Sequence, residues 1–343
     1  MNLKNCFNKI YLSALVASLS ILSAVYSDDY QLGSYGCEEP SFCNEWDCTS
    51  LWSQGRFHAS GDLLYWTARQ QGLDVFMGTG VSTVDGDGSS VTTTSTKSLN
   101  SDWRPGFRVG LGYQLCSKWD VSAAWTHYNG HAQCHGSGPS DVPPLSTSGK
   151  WKLDYNLLDV VLTSPNYCSN SCFTYHYLAG LRAASVDQKL NTTLALETIL
   201  TDVTTDITEL SSHIHFKGIG PEFGLGGAWH VINGFSLYGD VKTSFLFGRC
   251  KEKTTILSIT TTAPITSDVT LSTPHTCQVV VDLGAGVCWD HHLCFGNYET
   301  DLHLKLGWEH AQWFNFNLPA FSIFSQNADF TTDGVTFSAG LDF

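Results

Sequence analysis

Large apolar residues alternate with small or polar ones along ten stretches of this chain, and the last stretch shows the pattern most clearly. In Gly334-Val-Thr-Phe-Ser-Ala-Gly-Leu-Asp-Phe343, Val335, Phe337, Ala339, Leu341 and Phe343 alternate with Thr336, Ser338, Gly340 and Asp342. Successive side chains of a strand point to opposite faces, so one face is apolar and the other wet. The same period of two recurs in residues 57–67, 106–115, 119–129, 150–163, 173–183, 215–230, 235–247, 278–288 and 301–311. Most of these are about ten residues long, the length a tilted strand needs to cross hydrocarbon. Within 150–163 the phase slips, as Trp151, Leu153, Tyr155 and Leu157 give way to Leu158, Val160 and Leu162. One extra residue of that kind predicts a β-bulge.

The connections alternate in length. Residues 68–102, 131–148, 185–214, 250–276 and 313–330 are long and mostly polar, whereas 116–118, 164–172, 231–234 and 289–298 are short. Long extracellular loops, short periplasmic turns and an even strand number describe an outer-membrane barrel with both chain ends in the periplasm. A secreted β-sandwich, the competing all-β reading, has no reason to alternate its loops so regularly. The expected fold is therefore a closed, antiparallel, up-and-down transmembrane β-barrel of about ten strands, within bounds of eight to twelve. The Thr-rich tracts 89–96, 192–208 and 254–273 have strand propensity; they are expected to extend strands above the membrane or to add a hairpin. Trp66, Trp103, Trp151, Trp308 and Trp313 thread to the outer ends of strands, and Trp119, Trp229 and Trp289 to the inner ends, as two interfacial girdles. A barrel strand ending on an aromatic residue, here Phe343, is the end that the outer-membrane assembly machinery reads.

Composition adds the route to that membrane. Lys4 and Lys9 precede an apolar run with small residues, and Val25 and Ser27 suit the −3 and −1 positions of a cleavage site, so residues 1–27 read as a secretory signal. No other run is long and apolar enough for a transmembrane helix. Losing a segment with two lysines and no acid takes the formal net charge from −14 to −16. Such an acidic chain is a poor partner for nucleic acid or an anionic lipid surface. Only 15% of residues are charged while 13% are aromatic and 31 are Gly, which suits a membrane barrel better than a soluble secreted domain. Residues 28–56 are expected to form a Cys-rich periplasmic segment, and 57–343 the barrel.

Candidate chemistry lies in the lumen and the cysteines. On this threading Asp62, Asp120, Asp154, Glu222, Asp240, Asp282, Asp301, Glu309 and Asp342 point inward, against Arg108, Lys152, Arg182, Lys242 and Lys305. An excess of carboxylates favours cations if the lumen conducts. About eight strands leave a lumen filled by side chains and about sixteen leave a channel, so ten sits near the filled end, with inward glycines and serines expected to widen it. Cys37, Cys43, Cys48, Cys116, Cys168, Cys172, Cys288 and Cys294 fall on the periplasmic side, and Cys134, Cys250 and Cys277 outside. Cys250 and Cys277 bracket one outer loop and are expected to pair, in a compartment that permits disulfides. Eleven is odd, so at least one thiol stays free or bonds another chain. No paired zinc-ligand spacing, nucleophile–base order or phosphate loop is present; neither metal, cofactor nor catalytic residues are expected, His310 beside Glu309 being the one pair of interest.

Several stretches resemble the Legionella-type major outer membrane protein family, which extends to similar proteins of chlamydia-related bacteria. They are Gly61-Asp-Leu-Leu-Tyr-Trp66, Trp103-Arg-Pro-Gly-Phe-Arg-Val-Gly-Leu-Gly-Tyr113, Leu178-Ala-Gly-Leu-Arg-Ala-Ala184, Phe216-Lys-Gly-Ile-Gly-Pro-Glu-Phe-Gly-Leu225, Gly307-Trp-Glu-His310 and Leu341-Asp-Phe343. The resemblance implies a pore-forming outer-membrane barrel without catalytic residues. The function expected is passive diffusion of small solutes, with a weak cation preference. The alternative is a structural barrel whose cysteines cross-link it to itself or to other envelope proteins, as the chlamydia-related resemblance suggests.

Overall fold

The computed structural model describes residues 56–71, 79–84, 90–95, 101–115, 119–137, 146–170, 172–200, 202–232, 234–259, 264–295, 298–316 and 329–343. The signal, the segment 28–55 with Cys37, Cys43 and Cys48, and Cys116 lie outside the described residues.

Thirteen strands follow one another: β1 (Arg56–Gln70), β2 (Thr79–Val84), β3 (Ser90–Ser95), β4 (Arg104–Gln114), β5 (Asp120–Ser137), β6 (Ser146–Thr163), β7 (Tyr167–Asn170), β8 (Phe173–Leu200), β9 (Asp202–Ile232), β10 (Phe235–Ile259), β11 (Pro264–Phe295), β12 (Tyr298–Phe314) and β13 (Phe330–Asp342). Ten of them close a ring in the order β6-β5-β4-β1-β13-β12-β11-β10-β9-β8, and β8 pairs back onto β6. Every neighbouring pair in the ring is antiparallel. Closure leaves no strand edge unpaired, which is what lets a sheet sit in hydrocarbon where water cannot satisfy the backbone. The seam between chain ends is tight: Phe57 N donates to Phe343 O at 2.9 Å, and Phe343 N to Phe57 O at 2.8 Å. The three extra strands stay out of the ring wall. β2 and β3 form a separate hairpin, and β7 is a short strand beside β8 in the turn after β6.

Outside, the wall is apolar. Leu63, Leu111, Leu181, Ile219, Phe223, Leu283 and Phe337 are all largely exposed, as side chains facing lipid must be. Two expectations about the wall are corrected. The loops 185–214 and 250–276 are strands for most of their length: β8 runs 28 residues, β9 31, β10 25 and β11 32. Their Thr-rich ends, as expected of the tracts 192–208 and 254–273, keep pairing well beyond the roughly ten residues that cross the membrane. The bulge expected in 150–163 is absent, because β6 pairs without a register shift to both β5 and β8. What looked like a slip is a change in what the inward face carries, from Trp151, Leu153, Tyr155 and Leu157 to Asp159. A register shift does occur in β10, between Gly248 and Cys250.

A candidate functional site in the barrel lumen

Among the described residues, side chains fill the outer half and the middle of the lumen. In the outer half an apolar cluster fills it: Leu64, Trp66, Tyr128, Trp151, Tyr155, Phe216, Trp313, Phe316 and Phe330 are 0–4% exposed. Their rings stack edge-on, with Trp313 at 5.9 Å from Tyr155, 6.0 Å from Phe216 and 5.5 Å from Phe316. The polar tips are satisfied inside the cluster, since Trp313 Nε1 donates to Tyr155 Oη at 3.3 Å and Tyr128 Oη to Trp66 O at 3.0 Å. Three tryptophans expected in the outer girdle, Trp66, Trp151 and Trp313, therefore belong to this plug. The girdle itself is outward, with Trp103 stacked 5.5 Å from Tyr65 and 5.8 Å from Trp308.

Below the plug two guanidinium groups hold the middle. Arg182 is 3% exposed. Its Nε donates to Asp159 Oδ1 at 2.7 Å, its Nη2 to Asp159 Oδ2 at 3.1 Å and to Glu222 Oε1 at 2.9 Å, and its Nη1 to Ser244 Oγ at 3.2 Å and to Asp282. Glu222 itself is 0% exposed, so this cation and three carboxylates form a cross-brace from β6 through β8 and β9 to β11. Arg108 does the same on the other side. Its Nη1 and Nη2 grip Glu309 at 3.1 and 2.8 Å, Nη1 also reaches Asp62 at 3.0 Å, and Nε donates to Thr126 at 3.0 Å. A fork of fixed donors matched to carboxylates gives geometry as well as charge.

In the inner half, histidines and acids share the space. His58 Nε2 lies 2.7 Å from Asp120, His303 Nδ1 2.7 Å from Asp290 and its Nε2 3.3 Å from Asp342. His292 and Arg56 both reach Asp301, at 2.5 and 2.9 Å. Cys288, 6% exposed, donates its thiol to Asp290 at 3.2 Å. Several inward glycines do not widen this region as expected, because neighbours fill the space over them. A Cβ on Gly112 would meet His58 at 2.0 Å, one on Gly226 would meet His176 at 2.4 Å, and one on Gly307 the Tyr238 hydroxyl at 2.2 Å.

Placed one by one, Asp62, Asp120, Glu222, Asp240, Asp282, Asp301, Glu309 and Asp342 share the inward register with Arg108, Arg182, Lys242 and Lys305. Asp154 and Lys152 do not. With no bulge in β6 they fall on the outer face, both exposed, and Asp159 takes the inward place. Asp159 follows from the alternation of Leu158, Val160 and Leu162, whereas the bulge reading put Lys152 and Asp154 on the wrong face.

The expected Cys250–Cys277 pair is also corrected. Cys250 packs inward on the apolar cluster opposite Phe216 and Thr273, while Cys277 stands opposite the outward Phe247, so the two thiols leave the wall on opposite faces. Cys168 is exposed on β7, Cys172 sits in the following turn, and Cys294 lies on β11 opposite Glu299. Among the described residues no group of three His, Cys, Asp or Glu side chains could hold a metal ion.

Residues 53–343, the whole ring included, match the family described as Legionella pneumophila major outer membrane protein precursor. The chain belongs to this family. Its localisation follows, since a member of the family with a closed barrel of this kind resides in the bacterial outer membrane. No curated protein matches the chain. Among solved structures it is similar to the outer membrane protease OmpT from Escherichia coli, at 12% identity over 84% of this chain and 96% of that one, TM-score 0.39. It is similar also to a Pseudomonas aeruginosa FadL homologue (8% identity, 84% and 90% covered, TM-score 0.28). The Pseudomonas putida toluene transporter TodX matches at 9% identity, with 84% and 89% covered and a TM-score of 0.24. None of the three superposes closely enough to lend this family member an activity.

Proposed function

We propose that the protein is a structural barrel of the outer membrane whose lumen is closed to free diffusion at rest. The supporting observation is the seal: among the described residues, side chains of the wall, joined by Phe316 just past β12, stack above a nearly inaccessible Arg182 held by three carboxylates. Opening it would strip a buried cation of its partners, at a cost of several kcal/mol. In this role the barrel anchors and the cysteines hold neighbours, with Cys37, Cys43 and Cys48 of the segment before β1 the candidates for cross-links. Non-reducing gels of envelopes should then show oligomers that collapse to monomer with reductant; a monomer band indifferent to reductant would remove the cross-linking.

One observation favours a second reading, passive diffusion of small solutes with weak cation preference. The inner half of the lumen is rich in partly exposed acids, with Asp120, Asp290, Asp301 and Asp342 side chains 23–40% accessible, and carboxylates there would favour cations. Planar bilayers separate the two. Steady silence supports the closed barrel, while discrete steps with a cation-selective reversal potential support the channel. Catalysis enters neither reading: Glu309 is held inward by Arg108, and His310 faces outward onto Asp333.

A further inference from the structure

The outer face of one arc, β5 through β10, carries positive charge where lipid headgroups would lie. Register sets the residues out in rungs. The apolar wall ends on the rung Trp125, Leu158, Ala183, Ile219, Phe247. Next above it comes His127, Asn156, Ser185, Lys217, Arg249, in which Lys217 and Arg249 stand directly opposite each other. Two rungs higher stands His131, Lys152, Lys189, His213, Lys253, with Lys152 directly opposite Lys189. The rung between adds Lys251. These six lysines and arginines, of 18 in an acidic chain, crowd one exposed face.

Like charges directly opposite across a sheet destabilise it. The two acids on this face do not offset them. Asp187 is taken by His213 at 2.6 Å and His215 at 3.0 Å, and Asp154 by Asn156. Among the described residues none of the six cations forms a salt bridge. Immediately below, the small side chains of Ala183 and Ser185 leave a trough of about 560 Å³ between Trp125 and Leu158 on one side and Ile219 and Phe247 on the other, with Lys217 and Arg249 at its upper rim.

We propose that this arc binds a phosphate-bearing lipid of the outer leaflet, an acyl chain lying in the trough and the phosphates bridging Lys217 and Arg249 and the lysine rung above. The trough decides for a lipid over a soluble polyanion, which would have no use for it. The proposal stands whether or not the lumen conducts.

The test is thermal unfolding of the purified full barrel in neutral detergent, with diphosphorylated lipid A added to the micelles. The lipid should raise the midpoint of the parent by several degrees and of Arg69→Gln equally, Arg69 lying on β1 away from the arc. The double variant Lys217→Gln/Arg249→Gln should lose most of the shift. Because that variant removes facing like charges, its own midpoint without lipid should be no lower than the parent's, which tells lost binding from lost folding. An absent shift in the parent, an equal shift in the double variant, or a shift reproduced by inorganic phosphate would overturn the lipid site.

Discussion

Arg182 shows what a single inward residue does in this barrel. Its guanidinium satisfies Asp159, Glu222 and Asp282 in a space water scarcely reaches, so Arg182→Met would leave three carboxylates crowded together without a cation. Breaking a buried pair from one side costs about 3–5 kcal/mol. The expected outcome is a correspondingly lower urea midpoint for the variant refolded in detergent, with Asp282→Asn milder because its side chain is 22% accessible. Glycine makes the converse case. A Cβ on Gly112 would stand where the His58 ring lies; Gly112→Val should cost on the order of 1–3 kcal/mol of overpacking, measured the same way. The identity of Arg182, Asp282 and Glu222 as inward residues is legible in the alternation of their strands. That all three converge with Asp159 on one point is not, because they come from four strands whose proximity only closure of the ring decides.

Among the elements, β6 was the hardest to read. Trp151, Leu153, Tyr155 and Leu157 have the look of a lipid-facing row, and nothing local distinguishes a ring that faces lipid from one that faces other rings. A signal did exist elsewhere in the ring: Leu63-Leu64-Tyr65-Trp66 in β1 and Val279-Val280-Val281 in β11 are apolar on both faces. Runs buried on both sides lose their alternation, which marks where the lumen is filled. The thiols of β10 and β11 follow the same logic of faces. Peptide mapping of the oxidised protein should yield no Cys250–Cys277 linked peptide, since Cys277 stands opposite the outward Phe247 and Cys250, three residues along β10, faces inward. On the outer arc, Lys152→Glu would turn the facing pair with Lys189 into an attractive one. It should raise the lipid-free unfolding midpoint slightly, by about 0.2–1 kcal/mol of stability, and weaken any anionic lipid bound there.

For the whole molecule, function turns on whether ten strands enclose a passage. A ring of this size has little more room than its own side chains need, and here nine large residues of the plug take up the outer half. Trp313→Ala would remove the ring that touches Tyr155, Phe216, Phe316 and Phe330. Loss of a buried aromatic costs about 3–5 kcal/mol in a core, and in this position it also leaves a void along the axis. The variant is expected to be less stable and to show conductance, or leak, where the parent is silent in planar bilayers. Equal conductance from both proteins would mean that the plug does not set the resting state.

By itself the sequence determined the barrel and its ten crossings. A period of two needs only the local geometry of a strand, and long and short connections need only counting. What lay beyond it was the content of the lumen: which apolar residues turn inward, which carboxylates share a guanidinium, and which lysines face each other across the outer wall. Those are set by register between strands far apart in the chain, and register exists only once the ring has closed.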